Sequence, residues 1–212
     1  SASRTTVTLK DISTREMRAF KEKNESWLEE NTPKYMHTEA TSPAIMFSYI
    51  SKRNIDGMMT GNLVSLLLIS IIIMIALRSL KIGFVSLIPN LTPIAIGYGI
   101  WGLLIQEINM AVAIAASVSL GIIVDDTVHF LSKYLRAKRD RNLNSEAAVH
   151  YAFHTVGLAL ITTTIVLVFG FSVLASSSFQ MNAHLGLLTA IVIGSAIFAD
   201  FLLMPPVLLW LD

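Results

Sequence analysis

Five long apolar runs after Asp56 limit the fold of this chain more than any other feature of its sequence. A helix needs about 20 predominantly apolar residues to cross the hydrocarbon core of a bilayer. Each run reaches that length, and the runs cover residues 58–77, 82–105, 108–131, 151–174 and 183–211. Because 53% of the residues are hydrophobic and 15% are charged, the composition also differs from that of a soluble domain. The sequence predicts an all-α membrane fold with five transmembrane helices over residues 58–212.

The region before the first run is short and charged. Residues 1–56 hold 17 of the 31 Asp, Glu, Lys and Arg residues. Residues 5–9 alternate and are β-branched, as in a strand, and Ser13 with Glu16 has the spacing of a helix capping box. A further extended segment at 35–39 would complete a strand, helix, strand unit, so this region is predicted to be a small α+β unit.

The predicted α+β unit covers residues 1–42. It is too small to have a core of its own, and we expect its partner strands to lie outside this sequence. Ser42 before Pro43 is typical of a helix start. Residues 43–57 are therefore predicted to form a helix that links the α+β unit to the membrane domain.

The Lys and Arg residues lie on one side of the predicted membrane domain. The connection between the first and second runs carries Arg78 and Lys81, and the connection between the third and fourth runs carries five more. These five are Lys133, Arg136, Lys138, Arg139 and Arg141. The other two connections carry none, and cytoplasmic loops are enriched in Lys and Arg. The pattern predicts a multi-pass protein of the cell (inner) membrane, with an extracytoplasmic N-terminal unit and a cytoplasmic C-terminus.

The composition argues against several other classes of protein. The net charge of +1 comes without a Lys/Arg patch on a soluble face, so nothing indicates a nucleic-acid partner. The absence of cysteine from the sequence excludes a disulfide framework and a thiol-based metal site. The sequence predicts no metal and no bound cofactor.

Three acids, Asp125, Asp126 and Asp200, lie inside the predicted spans with no Lys or Arg at comparable depth. A charge near the centre of a transmembrane helix costs roughly 2.5–3.5 kcal/mol on insertion scales. Either some of these carboxyls are protonated, or another part of the protein supplies a cation. Acids in such positions mark ion or proton pathways. Structural roles are the alternative: the adjacent pair could fix helix packing, and Asp200 could cap backbone groups freed by Pro205 and Pro206.

Helix periodicity predicts the directions of these side chains. Ser117, Gly121 and Asp125 recur every four residues and share a face, where small residues let another helix approach closely. We therefore predict that Asp125 points into the bundle and that Asp126 is rotated from it by about 100°. His129 lies one turn from both acids and either hydrogen-bonds to them or extends toward the cytoplasmic interface.

A polar layer is predicted at the depth of the acids. The helical rise places Asp125, Thr163 and Asp200 about 12, 13 and 18 Å from the cytoplasmic ends of their helices. Thr162 and Thr164 flank Thr163, and this layer could hold water or pass protons. Alternatively, the threonine hydroxyls bond back to their own helix.

Four sequence motifs resemble one family, in the same order along the chain. They are IPNLTPIAIGYG at 88–99, GIIVDDTVHFLSKY at 121–134, TTTIVLVFGF at 162–171 and ADFLLMPPVLLWL at 199–211. The chain resembles the RND (resistance-nodulation-division) superfamily of transporters, in particular its MMPL-like branch. The resemblance implies that residues 1–42 are the tail of an extracytoplasmic porter-like domain. It also implies that the five helices form one half, the C-terminal half, of a transporter bundle.

The resemblance further implies a function. The parent protein would be an exporter of lipids or other hydrophobic molecules driven by the proton-motive force. Protons would be the coupling ion, bound and released by Asp125 with Asp126 beside it. The supporting polar side chains would be His129, Thr162, Thr163, Thr164 and Asp200. The implied partners are the membrane, a lipid or hydrophobic substrate and the other half of the transporter, and a homo-oligomer is also open.

Two other functions are considered. The five-helix set also resembles the sterol-sensing domain of Patched and Dispatched relatives, which suggests a sterol- or lipid-sensing membrane module without transport. An intramembrane aspartyl protease would need Asp125 and Asp200 to share a site, but neither lies in the glycine-flanked motif expected of such an enzyme. We therefore predict that the chain is not an enzyme.

Overall fold

The computed structural model describes residues 5–10, 12–106 and 108–210. Within these residues all regular secondary structure is helical, and five helical segments are long and apolar enough to cross a membrane. The prediction of a five-helix, all-α membrane fold is confirmed to that extent. The chain divides into two compact units, Ser1–Gly57 and Met58–Asp212.

The N-terminal unit is built on one well-capped helix, α1 (Thr14–Asn31). The Ser13 side chain accepts a hydrogen bond from the Glu16 amide at 3.2 Å, and the Glu16 carboxylate accepts one from the Ser13 amide at 2.8 Å. This reciprocal pair confirms the predicted capping box. The hydrogen bond from the Ser13 backbone also lowers the pKa of the Glu16 carboxyl.

The two strands predicted for this unit are not found in the described residues. Residues 5–10 have no regular secondary structure, and a 3₁₀ turn occupies Lys34–Met36, inside the second predicted strand. A strand forms through backbone hydrogen bonds to a neighbouring strand, and the described chain provides neither segment with such a neighbour. The predicted α+β character of this unit is therefore not shown by the described residues.

One continuous helix, α2 (Pro43–Leu77), forms the first membrane-length segment. The Ser42 hydroxyl accepts a hydrogen bond from the Ile45 amide at 3.1 Å, which confirms the predicted helix start. The linking helix predicted over residues 43–57 and the first predicted span are thus parts of the same helix.

Two shorter helices, α3 (Leu80–Val85) and α4 (Leu87–Leu104), form the second segment. They are separated at Ser86, whose hydroxyl donates to the Gly83 carbonyl at 2.7 Å. Pro93 lies inside α4. Proline cannot donate a backbone hydrogen bond, so it makes the helix irregular at this level.

The third segment, α5 (Met110–Arg141), is longer than predicted. It starts at Asn109, whose side chain accepts a hydrogen bond from the Val112 amide. The five basic residues predicted in a connection lie on the last turns of this helix instead. Arg139 uses this position to donate to the Leu77 carbonyl at 2.7 Å, so the basic end of α5 caps α2.

The last two segments each contain a π-helical turn. In the fourth, residues Phe153–Gly157 separate α6 (Ser145–Ala152) from α7 (Leu158–Ala175). In the fifth, residues Ala199–Leu203 separate α8 (Gln180–Phe198) from α9 (Met204–Trp210). The predicted end of the fifth span at Leu211 lies outside the described residues.

Helix α8 is the centre of packing in the membrane unit, where it contacts α4, α5 and α7. A Cβ atom on Gly97 of α4 would overlap Val192 of α8, and a Cβ on Gly186 of α8 would overlap the backbone of α7. The close approach leaves a buried apolar cluster between α4, α5 and α8. Its members are Trp101, Val112, Ala115, Ile123, Leu188, Val192 and Ala196.

Candidate acid site of the membrane unit

Asp125 lies on the outer surface of the membrane unit, with 74% of its side chain exposed. Ser117 and Gly121 are exposed on the same face of α5. The predicted four-residue spacing is therefore correct, but the prediction that this face points into the bundle is wrong within the described chain. The reason is that α8 packs against the opposite face of α5, where Ile123 and Thr127 are buried.

His129 accompanies Asp125 on this outer face. Its Nε2 atom is 3.5 Å from the Oδ1 atom of Asp125, and its side chain is 60% exposed. The contact is an ion pair only when the imidazole is protonated. The predicted contact of His129 with the acids is thus made to Asp125, at the surface.

Asp126 and Asp200 form the inner acid pair of the structure. Asp126 is half-buried on α5, and Asp200 is 3% exposed in the π-helical turn between α8 and α9. Helix α5 packs against α8, the helix that leads into this turn. An uncompensated negative charge in a low-dielectric interior is costly. Protonation of a carboxyl removes that cost.

A buried amide and hydroxyl lie next to the inner acid pair in the fold. Thr127 follows Asp126 on α5, and its hydroxyl donates to Asn90 Oδ1 of α4 at 2.8 Å. Both side chains are fully buried. Within the described chain, neither the Asn90 Nδ2 donor nor the Asp200 Oδ1 acceptor has a hydrogen-bond partner. Because α4 contacts the π-helical turn that carries Asp200, a donor and an acceptor without partners face the same interface.

The π-helical turn explains how Asp200 becomes buried. Pro205 and Pro206 follow it, and their nitrogens cannot donate to the carbonyls one turn earlier. A π-helical turn widens the helix at this point and rotates the residues within it. Phe201 in this turn meets Phe153 in the other π-helical turn, with ring centroids 4.8 Å apart. The two π-helical turns therefore pack against each other through these rings, and Asp200 precedes Phe201 in one of them.

Comparison with known proteins places the chain in a family. Residues 1–211 match the model of the MMPL family. The chain belongs to the MMPL family. A protein of Methanocaldococcus jannaschii, whose name describes it only as a membrane protein, is 27% identical over 189 residues. These residues are 89% of this chain and 48% of that protein, so the chain spans about half the length of the relative.

Membership of the MMPL family confirms the resemblance drawn from the four motifs. It identifies the chain as part of a multi-pass membrane protein of the transporter or sensing type. Within the described residues of this MMPL chain there is no group of three His, Cys, Asp or Glu side chains that could hold a metal ion.

The three threonines bond to their own helix. The hydroxyls of Thr162 and Thr164 donate to the carbonyls of Leu158 and Leu160 at 2.8 Å, and Thr163 donates to carbonyls of the preceding turn in the same way. Thr162 and Thr163 are exposed, whereas Thr164 is buried. These hydroxyls therefore bond back to their own helix, which is the alternative that the sequence left open beside a polar layer.

Sequence reasoning missed Asn90 and Thr127 as members of the site. A signal was present for both: Asn90 stands between two prolines in an apolar run, and Thr127 directly follows the acid pair. What the sequence could not show is that the two side chains meet, because they lie on different helices 37 positions apart.

Proposed function

We propose that the MMPL protein to which this chain belongs exports lipids or other hydrophobic molecules, driven by the proton-motive force. The five-helix unit would supply a proton-binding site to the complete transporter. The observation that carries the proposal is the inner acid pair, with Asp200 buried and Asp126 half-buried among helices of membrane length. Intramembrane acids of this kind mark proton and ion pathways.

The lack of a basic partner supports the choice of a proton as the coupling ion. No Lys or Arg occurs in residues 82–132 or 142–212, so the sequence places none beside the inner acid pair. A proton on either carboxyl removes a negative charge from the bundle. Its release leaves two anions that repel each other, which favours separation of α5 from the helices that carry Asp200. Proton binding would in this way change helix packing.

The two adjacent acids have different roles in this proposal. Asp126 is half-buried, whereas Asp125 is exposed on the face of α5 that carries Ser117 and Gly121. An exposed acid on a small-residue face suits a contact with another helix. The other half of the transporter is the partner we propose for this face, consistent with a chain that spans about half the length of its relative.

The test is transport by the complete protein in proteoliposomes under an imposed pH gradient. Asp126→Asn should lower pH-driven transport by about tenfold or more, because an amide cannot bind and release the coupling proton. Asp140→Asn is the matched control, since Asp140 lies on the same helix with an exposed side chain. Normal pH-driven transport by Asp126→Asn, or transport driven by a sodium gradient alone, would overturn the proposal.

A groove favours a second function, the binding of a sterol or other lipid without transport. A cavity of about 380 Å³ opens between α2 and α5, within the usual size range of small-molecule sites. It is lined by Met58, Gly61, Asn62, Ser65, Ile69, Ser117, Leu120 and Gly121. The Ser117 hydroxyl donates to Asn62 Oδ1 there at 2.6 Å. Saturable lipid binding by a protein that carries no flux under any gradient would favour this sensing function over export.

A further inference from the structure

The turn between α2 and α3 has an unusual residue in its backbone. Arg78 has a φ of 49°, in the left-handed region. Its amide donates to the Ile75 carbonyl and the Ser79 amide donates to the Met74 carbonyl, both at 3.2 Å. These two hydrogen bonds form a Schellman motif, in which glycine usually occupies the left-handed position. An arginine there is strained, and strained residues often have a functional role.

The strained turn forms part of a second cavity in the membrane unit. The cavity has a volume of about 300 Å³, at the lower end of the range of small-molecule sites. It combines apolar residues of α2 and α3 with two polar residues of the turn, and it shares no residue with the groove between α2 and α5. Its lining consists of Met74, Ile75, Arg78, Ser79 and Leu80.

Close helix packing fixes one side of this cavity. A Cβ atom on Gly83 of α3 would overlap the Met74 side chain of α2. Helix α3 is therefore held against α2 directly beside the cavity, and the turn between them is short. The cavity is thus built by the fold of the membrane unit.

Positive charge collects at the same turn. Arg139 Nη2 donates to the Leu77 carbonyl and lies 3.2 Å from the Arg78 carbonyl oxygen, so a second guanidinium adjoins the turn. These contacts use one nitrogen of Arg139 and leave donors on the other two. Lys81 is exposed on the first turn of α3, and helix side chains lean toward the N-terminus of their helix, which here is the turn.

The charge at the turn is not balanced within the described chain. No acid among the described residues forms an ion pair with Arg78, Lys81 or Arg139. The adjacent acid on α5, Asp140, pairs with Arg136 at 3.4 Å. The Ser79 hydroxyl accepts from the Ile82 amide at 3.4 Å, which leaves its hydrogen available for an anionic oxygen. The turn is therefore complementary to an anion.

An exposed apolar surface continues from the cavity along both helices. Its side chains are between 50% and 72% exposed, and they belong to Ile71, Ile72 and Ile75 of α2 and to Leu80 and Phe84 of α3. Both helices belong to segments of membrane length. A ligand that matches the whole surface therefore has an anionic head and an apolar tail, whereas a soluble anion would match only the turn.

We propose that the turn between α2 and α3 binds the headgroup of an anionic phospholipid. Arg78, Lys81 and Arg139 would pair with its phosphate, and its acyl chains would lie along the exposed apolar surface. Basic pockets at the ends of membrane helices are suited to anionic headgroups. The site would hold a resident lipid, and its occupation does not depend on the export function proposed above.

The test is lipid binding by the complete protein in detergent, measured by native mass spectrometry. Phosphatidylglycerol and phosphatidylcholine are titrated separately. The wild type should bind its first phosphatidylglycerol at least about fivefold more tightly than its first phosphatidylcholine. Arg78→Gln should weaken phosphatidylglycerol binding about fivefold, the usual contribution of one basic side chain beside anionic lipid, and should leave phosphatidylcholine binding unchanged.

The matched control is Arg141→Gln, which removes the same charge from the same end of the membrane unit. The Arg141 guanidinium lies over the ring of Tyr151 on α6, 4.5 Å from its centroid, and Arg141 does not line the cavity. This variant should change the affinity for phosphatidylglycerol less than about twofold, because its charge is not beside the bound headgroup. Equal losses in Arg78→Gln and Arg141→Gln would indicate general attraction to anionic lipid and would refute a site at the turn.

Arg78→Gly is the second variant and separates a binding role from a structural one. Glycine adopts the left-handed conformation without strain, so this protein should fold even if Arg78→Gln does not. Its unfolding temperature in lipid-free detergent should be unchanged or higher, while its preference for phosphatidylglycerol should fall as in Arg78→Gln. A preference equal to that of the wild type would contradict the proposal.

A competition experiment distinguishes a lipid from a soluble anion. Excess glycerol phosphate carries the charged head without acyl chains, and it should not displace bound phosphatidylglycerol. Full displacement would show a site for small anions and would exclude the proposed lipid. None of these readouts involves transport, so their failure and the failure of the export function are distinguishable.

Discussion

At the scale of single residues, two adjacent acids of the membrane unit have different surroundings. Asp125 is exposed beside His129, and Asp126 is half-buried. A rotation of about 100° per residue is enough to place neighbouring side chains in different interfaces. The proton-binding role that the family resemblance implies first for Asp125 is therefore proposed here for Asp126 with Asp200.

Outside the membrane, Glu25 is the residue whose titration the structure defines best. Its carboxylate accepts from Lys21 Nζ at 2.8 Å and from the Ala40 amide at 2.7 Å. The hydrogen bond from Lys21, followed by that from Ala40, lowers the pKa of Glu25 below its ordinary value of 4.5. A lowered pKa means that the ionised group stabilises the fold above pH 4.5 and that this stabilisation is lost as the pH falls through the lowered pKa.

The measurement is the pH titration of the Glu25 side-chain carbon by NMR. We expect a midpoint below 4.5, and a shift back toward 4.5 in Lys21→Met. The Ala40 amide should be less protected from exchange, relative to its intrinsic rate, at pH values below the midpoint, because the neutral carboxyl is a weaker acceptor. A wild-type midpoint at or above 4.5 would contradict the contact.

At the scale of elements, the contact between α7 and α8 depends on a glycine. A Cβ atom on Gly186 would lie 2.5 Å from the Ala175 nitrogen and 2.6 Å from the Phe171 carbonyl oxygen. Both atoms are backbone atoms of the α7 helix and cannot rotate away as a side chain could. The two helices would have to move apart, which disturbs the position of α8 against α4 and α5.

Gly186→Ala should therefore destabilise the membrane unit by about 1–3 kcal/mol, the usual cost of overpacking. Gly170→Ala on α7 is the control, since a Cβ there meets nothing within 4 Å and alanine favours the helix by roughly 0.5–1 kcal/mol. The two variants can be compared by their unfolding midpoints in mixed micelles of detergent and SDS. An unchanged midpoint for Gly186→Ala would show that the helices are less closely packed than described.

At the scale of the whole molecule, the distribution of charge indicates an orientation. The basic residues gather at the end of α5 and at the start of α3, where they also cap α2 through Arg139. The turn between α7 and α8 carries none. Positively charged ends remain in the cytoplasm, so we predict that the basic end of α5 is cytoplasmic and that the turn between α7 and α8 is extracytoplasmic.

A single cysteine on each side tests this orientation in intact cells. Ser178→Cys, in the exposed α7–α8 turn, should react with a membrane-impermeant maleimide. Asp140→Cys, exposed on the basic end of α5, should react only after the membrane is permeabilised. The reverse pattern would contradict this orientation.

The sequence by itself determined the five membrane-length helices that the described residues contain, several of their starts and the family. These features depend on local properties: the length of apolar runs, the caps at Ser13 and Ser42, and short motifs. Only the tertiary structure decided which acid faces inward and that Thr127 meets Asn90. Helical periodicity sets the angle between Asp125 and Asp126, but the face that becomes buried depends on where α8 packs. The strands predicted near the N-terminus are not found in the described residues for the same reason, since a strand needs a partner that its own residues cannot provide.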